Sequence, residues 1–172
     1  EIIKGPAARI FGQNAFNGAI NIVTKDVLGE IDKEIVKVYF RVNEISFGSF
    51  EHKNISASTK IITSKVKTLI SYSGNRSDGY RHNTDFKKNN YFVKSTIKSN
   101  RFPVDIIASF TENKFGANGF YASPIATEQY EETQASLIGL STSIKSKKVI
   151  ISPKLYWRRG QDEYIYIRDN PS

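Results

Sequence analysis

Residues 66–73 read Val66-Lys67-Thr68-Leu69-Ile70-Ser71-Tyr72-Ser73 and show the pattern that predicts the fold class of this chain. Every second position carries an apolar or β-branched residue, namely Val66, Thr68, Ile70 and Tyr72, and most positions between them are polar. A period of two places alternate side chains on opposite faces of a β-strand. The stretch therefore predicts a strand with one apolar face and one wet face.

The same alternation recurs from Glu34 onward, and no stretch of helical period is long enough to compete with it. The apolar positions of the further strand candidates are Val36, Val38, Phe40 and Val42; Ile55, Ala57, Thr59 and Ile61; Tyr91, Val93 and Ile97; Val104, Ile106, Ala108 and Phe110; and Val149, Ile151, Leu155 and Trp157. Residues 134–144 form one more candidate with a less regular alternation. The sequence predicts an all-β fold whose strands form a meander, as in a sandwich, a small barrel or one arc of a large barrel.

Connection lengths favour the large barrel. Short turns at residues 63–65, 99–103 and 145–148 alternate with long polar segments at residues 74–90 and 111–133. In a meander, both long segments lie at the same end of the sheet. Short turns at one rim and long loops at the other are typical of an outer-membrane barrel.

The distribution of aromatic and cationic residues agrees with that layout. Tyr72, Tyr91, Phe110 and Trp157 share the apolar parity of their strands near the long segments, where a membrane-interface aromatic girdle would lie. The alternative is that they form the rim of a soluble sandwich core. The opposite parity carries the cations Lys37, Arg41, Lys60, Lys67, Lys94, Lys98, Lys154 and Arg158. On a lipid face each cation would cost about 2–4 kcal/mol near the midplane, so the parity predicts that they face a lumen.

Composition excludes several classes of function. The 172 residues contain no Cys and two His, so disulfide scaffolds, zinc ribbons and His-based metal sites are not expected. No apolar run approaches the ~18 residues of a membrane-spanning helix. No pair of residues suggests catalysis. Asp78 and Asp85 could contribute oxygens to a loop-bound Ca²⁺, but two carboxylates are weak evidence for a site that needs about 6–8 oxygen ligands. We therefore predict no catalytic residues, no metal site and no cofactor.

The net charge of +8 invites a nucleic-acid interpretation. Exposed aromatics flanked by Lys and Arg can stack on bases, and Gly116-Ala117-Asn118-Gly119 has the spacing of a Gly-x-x-Gly clamp. That clamp needs flanking helices, which the sequence does not predict. We expect no nucleic-acid partner.

The first 25 residues carry the most specific motif. A strand ending in Lys4-Gly5-Pro6 leads into a short helical turn, Ala7 to Phe11, that Gly12 ends; a strand from Gly18 to Lys25 follows. This segment resembles the end of the plug domain of TonB-dependent outer-membrane receptors. The matching positions are Lys4, Gly5, Pro6, Arg9, Phe11, Gly12, Gly18, Asn21, Thr24 and Lys25. Two positions depart from the family pattern: Lys4 stands where Arg is usual, and Asn17 where a second Gly is common.

The resemblance implies a domain organisation. Residues 1–25 would be the C-terminal part of the plug, 26–33 a linker, and 34–172 about seven N-terminal strands of a transmembrane antiparallel barrel of roughly 22 strands. The fold expected is all-β with a small α+β plug remnant, and the chain is expected to be a piece of a longer protein. Arg9 is a candidate for the interface between plug and barrel.

The resemblance also implies a function. The family, which lies in the bacterial outer membrane in contact with its lipid, imports scarce small molecules such as metal chelates or vitamins. The partner that supplies the energy is TonB, which would bind an N-terminal segment. We expect the ligand to contact two loops, 74–90 and 115–130, through Tyr80, Arg81, His82, Asp85, Phe120 and Tyr121. The alternative is a surface binding protein that does not transport, or a soluble basic β-domain.

Overall fold

The computed structural model describes residues 2–4, 18–20, 36–99, 102–120, 125–146 and 148–168. The predicted helical turn, the whole predicted linker and Tyr121 lie outside the described residues. So do the plug positions Gly5, Pro6, Arg9, Phe11, Gly12, Asn21, Thr24 and Lys25. Lys4 and Gly18 lie in two short strands near the N-terminus. Both of these plug positions are therefore placed by their backbone alone.

The described part of the chain is built from β-strands. They are β1 Ile2–Lys4, β2 Gly18–Ile20, β3 Lys37–Phe47, β4 Lys53–Ile62, β5 Val66–Ser77, β6 Phe86–Ile97, β7 Val104–Gly116, β8 Tyr130–Thr142, β9 Ile144–Lys145, β10 Ile150–Ile151 and β11 Lys154–Ile165. No helix that is long and apolar enough to cross a bilayer occurs among the residues described. The all-β prediction is confirmed for this part of the chain.

Seven of these strands form one antiparallel sheet in the order β11-β8-β7-β6-β5-β4-β3. Each long strand is hydrogen-bonded to the next one in the chain, so the sheet is the predicted meander. One irregularity, between Val42 and Glu44 at the β3–β4 pair, interrupts an otherwise continuous register. A separate hairpin pairs β1 with β2 and sets Lys4 opposite Gly18.

The register divides the sheet into two faces. The apolar face is illustrated by two rows of directly opposed residues: Phe40, Thr59, Ile70, Val93, Ala108, Ile138 and Trp157, and then Val38, Ile61, Thr68, Ser95, Ile106, Leu140 and Leu155. The polar face carries the row Arg41, Ser58, Ser71, Phe92, Ser109, Leu137 and Arg158. Six of the predicted cations, Lys37, Lys60, Lys67, Lys94, Lys154 and Arg158, join Arg41 on this polar face. Lys98 has the same parity but follows the last residue of β6.

The sheet has almost no buried core among the residues described. The buried residues are Ile62, Gly74, Ala117, Ala126 and the polar Gln129. On the apolar face Phe40 is 71% exposed and Trp157 is 52% exposed. A sandwich would bury such residues between two layers, so a second layer of described residues does not cover this face.

The strands are longer than the apolar pattern predicted. Residues 74–77 pair with residues 86–89, and residues 111–116 pair with residues 130–135. The predicted loops 74–90 and 111–133 therefore shrink to 78–85 and 117–129. The prediction placed the strand ends where apolar residues stop alternating, but polar side chains continue the same backbone ladder.

The last predicted strand is divided. Val149 to Trp157 is not one strand, because β10 ends at Ile151 and β11 begins at Lys154, after Pro153. Proline has no backbone N–H to donate to a ladder, which favours an interruption at this point. The segment predicted as 134–144 runs instead from Tyr130 to Thr142, and the predicted turn 145–148 lies within the β9–β10 hairpin.

Candidate functional site

Three connections lie at one end of the meander, which we call the loop end: residues 48–52, 78–85 and 117–129. The segment that follows β11, residues 166–168, lies at the same end. The predicted ligand-binding residues that the structure describes belong to the second and third of these connections. The first connection was not among the predicted turns or loops, and it contributes to the same surface.

The turn at residues 48–52 presents Phe50 at the loop end. Phe50 and Glu51 have φ angles of 60° and 54°, in the left-handed region that bulky residues seldom adopt. The neighbouring strand supports the turn, because the Asp78 amide and the Ser77 hydroxyl both donate to the Phe50 carbonyl, at 2.8 and 3.0 Å. The Phe50 side chain stays 57% exposed.

Phe50, Tyr80 and Arg81 form an aromatic–cationic cluster. The rings of Phe50 and Tyr80 meet edge to face with their centroids 6.4 Å apart, and the Arg81 guanidinium lies 4.9 Å from the Tyr80 ring centroid. Tyr80 is 66% exposed. The cluster can offer a ligand an apolar surface beside directed N–H donors.

Asn83 joins the second connection to the third. Its side-chain amide donates to the carbonyls of Thr127 and Gln129, at 2.8 and 2.7 Å. In the opposite direction, the Asn118 side chain donates to the His82 carbonyl at 2.7 Å. The two connections therefore form one hydrogen-bonded unit, which we call the loop unit, and not two independent loops.

Close approach of the backbone at Gly116 makes this contact possible. A Cβ at Gly116 would lie 2.6 Å from the Asn83 carbonyl oxygen and 2.7 Å from its carbonyl carbon. Such contacts are shorter than van der Waals separation, so a larger residue would separate the two connections. Asn83 itself has a φ of 50°, a conformation that asparagine adopts more readily than most residues.

Arg168, which follows the last long strand, contacts both connections of the loop unit. Its guanidinium donates to both carboxylate oxygens of Asp85, at 2.6 and 3.0 Å, and to the Asn83 side-chain oxygen at 3.2 Å. It also lies over the Tyr130 ring, 4.2 Å from the centroid. The Arg168 amide donates to the Glu128 carbonyl at 2.9 Å.

His82 and Glu128 make an exposed pair across the loop unit. Nε2 of His82 lies 2.7 Å from Oε1 of Glu128, to which the Thr127 hydroxyl also donates at 3.0 Å. The hydrogen bond from His82, and then the one from Thr127, hold the pKa of the Glu128 carboxyl below its usual value. The hydrogen bond between His82 and Glu128 is therefore strongest when the Glu128 carboxyl is ionised.

The structure separates the predicted ligand residues by role. Tyr80, Arg81 and His82 lie together in the second connection, and Phe120, 73% exposed, lies in the third. Asp85 is held by Arg168, which points to a structural role in the loop unit. Sequence reasoning missed Phe50, Asn83, Glu128 and Arg168, because their contacts join distant parts of the chain.

Three of the four predicted girdle residues form a continuous row on the apolar face. Tyr72 lies opposite Tyr91 with centroids 5.1 Å apart, and Tyr91 lies opposite Phe110 at 6.2 Å. Trp157 occupies the same face two residues further from the loop end, because it pairs with Ile138 and not with Ser136. The row lies in the middle of the strands, and β5 continues beyond it to Ser77.

On β6, β7, β8 and β11 the chemistry of the apolar face changes at this row, whereas β3 and β4 continue with Ile45 and Ile55. Toward the loop end, the next row carries Asn89, Glu112, Gln134 and Gln161. The Tyr72 hydroxyl crosses the boundary and donates to the Asn89 side-chain oxygen at 3.0 Å. The rings thus face the apolar part of the sheet, and the Tyr72 hydroxyl reaches its polar part.

No group of three or more His, Cys, Asp or Glu side chains able to hold a metal ion occurs in the part of the chain that the structure describes. No protein-family model, no curated protein and no solved structure matches the chain.

Proposed function

We propose that this chain forms part of the wall of a TonB-dependent outer-membrane receptor, with its apolar face toward lipid and its polar face toward the lumen. The observation that carries the proposal is a regular seven-stranded sheet with an exposed apolar face. Exposed apolar patches of this extent are typical of membrane or partner contacts. A bilayer would cover the whole face without any second protein layer.

The dimensions of the apolar face support the proposal. Along β5, the apolar positions from Val66 to Tyr72 are six residues apart, which corresponds to a rise of about 20 Å. The apolar band of outer-membrane barrels is about 25 Å tall. The Tyr72–Tyr91–Phe110 row, at the loop-end boundary of this band, matches the position of an interfacial aromatic girdle.

The edges of the sheet also support a barrel wall. β3 and β11 are the outer strands of the sheet, and neither has a second sheet neighbour among the described strands. Long unpaired edges promote aggregation in water, and a closed barrel removes them. We infer that further strands continue the sheet from both edges.

Import and coupling to TonB rest on the resemblance of the first 25 residues. The pairing of Lys4 with Gly18 brings together the two strands of that motif and is compatible with a plug remnant. Ligand capture would use the loop end, where Phe50, Tyr80, Arg81 and Phe120 offer aromatic contact area and donors. The ligand class suggested by the resemblance is a metal chelate or a vitamin.

The chain contains no Cys, so single cysteines can report which face meets lipid. We suggest Ile70→Cys and Ser71→Cys, neighbours on opposite faces of β5, in the full-length protein in outer membranes. A polarity-sensitive thiol dye should report hydrocarbon at residue 70, and residue 71 should react with a water-soluble reagent. The same environment at both positions would contradict the barrel wall.

Transport needs a separate test. The full-length protein should fractionate with outer membranes, migrate differently on gels after heating, and support ligand uptake that is lost when TonB is deleted. Membrane insertion with TonB-independent binding would favour the non-transporting surface protein. Solubility without detergent would favour the soluble β-domain.

A further inference from the structure

A groove of about 280 Å³ lies on the apolar face of the sheet beside Gly74, between the aromatic row and the loop end. We call it the Gly74 groove. Its apolar walls are Ile45, Phe47, Ile55 and Tyr72. Its loop-side margin is formed by three cations, Lys53, Arg76 and Lys87.

Gly74 shapes the base of the groove because it has no side chain. Ile55, Gly74 and Asn89 lie directly opposite one another on three neighbouring strands, so a side chain at residue 74 would fill the space between them. A Cβ there would overlap the Tyr72 hydroxyl, which lies over the glycine and donates to Asn89. Gly74, which is itself buried, thus leaves room for the Tyr72 ring at the base of the groove.

The three cations form a single row across the strands. Lys53 lies opposite Arg76, and Arg76 lies opposite Lys87. Directly opposed residues have Cβ atoms about 5 Å apart, and like charges at that separation repel. Lys53 binds Glu51 at 2.7 Å, whereas Arg76 and Lys87 make no ion pair within the described ranges. An anion at this row would relieve the repulsion.

We propose that the Gly74 groove binds a phosphate-bearing lipid, with its phosphate on Arg76 and Lys87 and an acyl chain along Ile45, Ile55 and Tyr72. This inference rests on the proposed function, which turns this face toward the bilayer. The row lies two residues nearer the loop end than Gly74, where β4, β5 and β6 carry cations on this face and headgroups would lie. Guanidinium and ammonium groups are both established phosphate ligands.

A lipid fits the groove better than a free anion does. Free phosphate would use only the cations, and the apolar walls Ile45, Phe47, Ile55 and Tyr72 would stay uncovered. An amphiphile satisfies both parts at once, since its chain covers apolar surface and its headgroup neutralises the cationic row. The sheet would then carry its own binding site for the leaflet on the loop side.

The test compares two double variants of the full-length protein in nanodiscs. Arg76→Gln with Lys87→Gln removes two charges from the groove. Lys60→Gln with Lys88→Gln removes two charges from the opposite, polar face of the sheet. Lys60 lies on β4, next to β5, and Lys88 lies on β6 beside Lys87. Binding is measured with spin-labelled phosphatidylglycerol in phosphatidylcholine nanodiscs, with inorganic phosphate added as a competitor in a second arm.

We expect the groove variant to lose about 30-fold in preference for phosphatidylglycerol over phosphatidylcholine, on the basis of ~1 kcal/mol per cation and 1.4 kcal/mol per tenfold. The control variant should keep the parent preference, and inorganic phosphate should not compete. Equal preference in the two variants, or no preference in the parent, would overturn the inference. Full competition by inorganic phosphate would reduce the groove to a simple anion site and would also overturn it.

Whether the protein inserts into the membrane distinguishes a failure of this inference from a failure of the proposed function. If the protein inserts with residue 70 in hydrocarbon but shows no lipid preference, only the groove assignment fails. If the protein does not insert, the proposed function fails first.

Discussion

Arg168 binds Asp85 through both carboxylate oxygens, at 2.6 and 3.0 Å, although the two residues are 83 positions apart in the chain. This contact joins the segment after the last long strand to the connection between β5 and β6. It makes the loop unit a closed structure, because Arg168 also contacts Asn83 and the Tyr130 ring. The loop end is therefore a supported surface on which Tyr80 and Phe120 are exposed.

Replacing Arg168 should loosen the loop unit without unfolding the sheet. The Arg168→Gln variant loses the two-point contact, and the cost should be about 1 kcal/mol because the pair is partly exposed. Hydrogen exchange of the Gly116 amide, which donates to the Asp85 carbonyl, should accelerate about five-fold. The control is Arg158→Gln on the polar face of β11, which should leave that amide unchanged. Equal exchange in both variants would contradict the closing role of Arg168.

Alanine variants at Gly116 and Gly160 distinguish the effect of close backbone approach from the effect of losing a glycine from a strand. Gly116→Ala should destabilise the loop unit by about 1–3 kcal/mol, because its Cβ would lie against the Asn83 backbone. Gly160→Ala in β11 should have no such cost, since a Cβ there has no heavy atom within 4 Å. Limited proteolysis of the connections at 78–85 and 117–129 provides the measurement. If both variants are cleaved at the same rate, Gly116 has no special role in holding the connections together.

The loop unit should weaken in acid. The pKa of Glu128 is lowered in the folded chain, so its contribution is present above the ordinary value of 4.5 and is lost as the pH falls through the lower folded value. Cleavage of residues 117–129 by an acid-active protease should therefore increase below pH 4.5, and Glu128→Gln should remove this part of the pH dependence. A Glu131→Gln control, at the start of β8, should retain it. An unchanged profile in the Glu128 variant would refute the assignment.

A charge should be tolerated on one face of β7 and not on the other. In a membrane wall, Ala108→Lys places an ammonium on the apolar face and should cost about 2 kcal/mol of folding free energy. Ser109→Lys places the same group on the polar face and should cost much less. Urea titration of the full-length protein in liposomes measures both. Equal costs would contradict the assignment of lipid and lumen to the two faces.

Sequence alone predicted the strands where apolar and polar residues alternate, and it predicted the parity of the cations on the polar face. It could not predict where β5 and β6 end, since Asn75, Arg76 and Lys88 continue the ladder without an apolar period. Sequence also could not pair Asp85 with Arg168, because contacts at the loop end depend on register and on the shape of three connections. It placed Trp157 in one girdle with Tyr72, whereas the register of β11 moves Trp157 one pleat away.

The scarcity of buried side chains has a consequence for sequence variation. In a packed protein, the volume of each apolar residue is constrained by the neighbours that surround it. Residues such as Phe40 and Leu155 have open space above them, so their size is free to vary as long as they stay apolar. We expect exchanges such as Leu155→Phe and Phe40→Leu to be nearly neutral and independent of each other. The sizes of the exposed apolar side chains could then vary freely among related sequences, while the pattern of apolar and polar positions stays fixed.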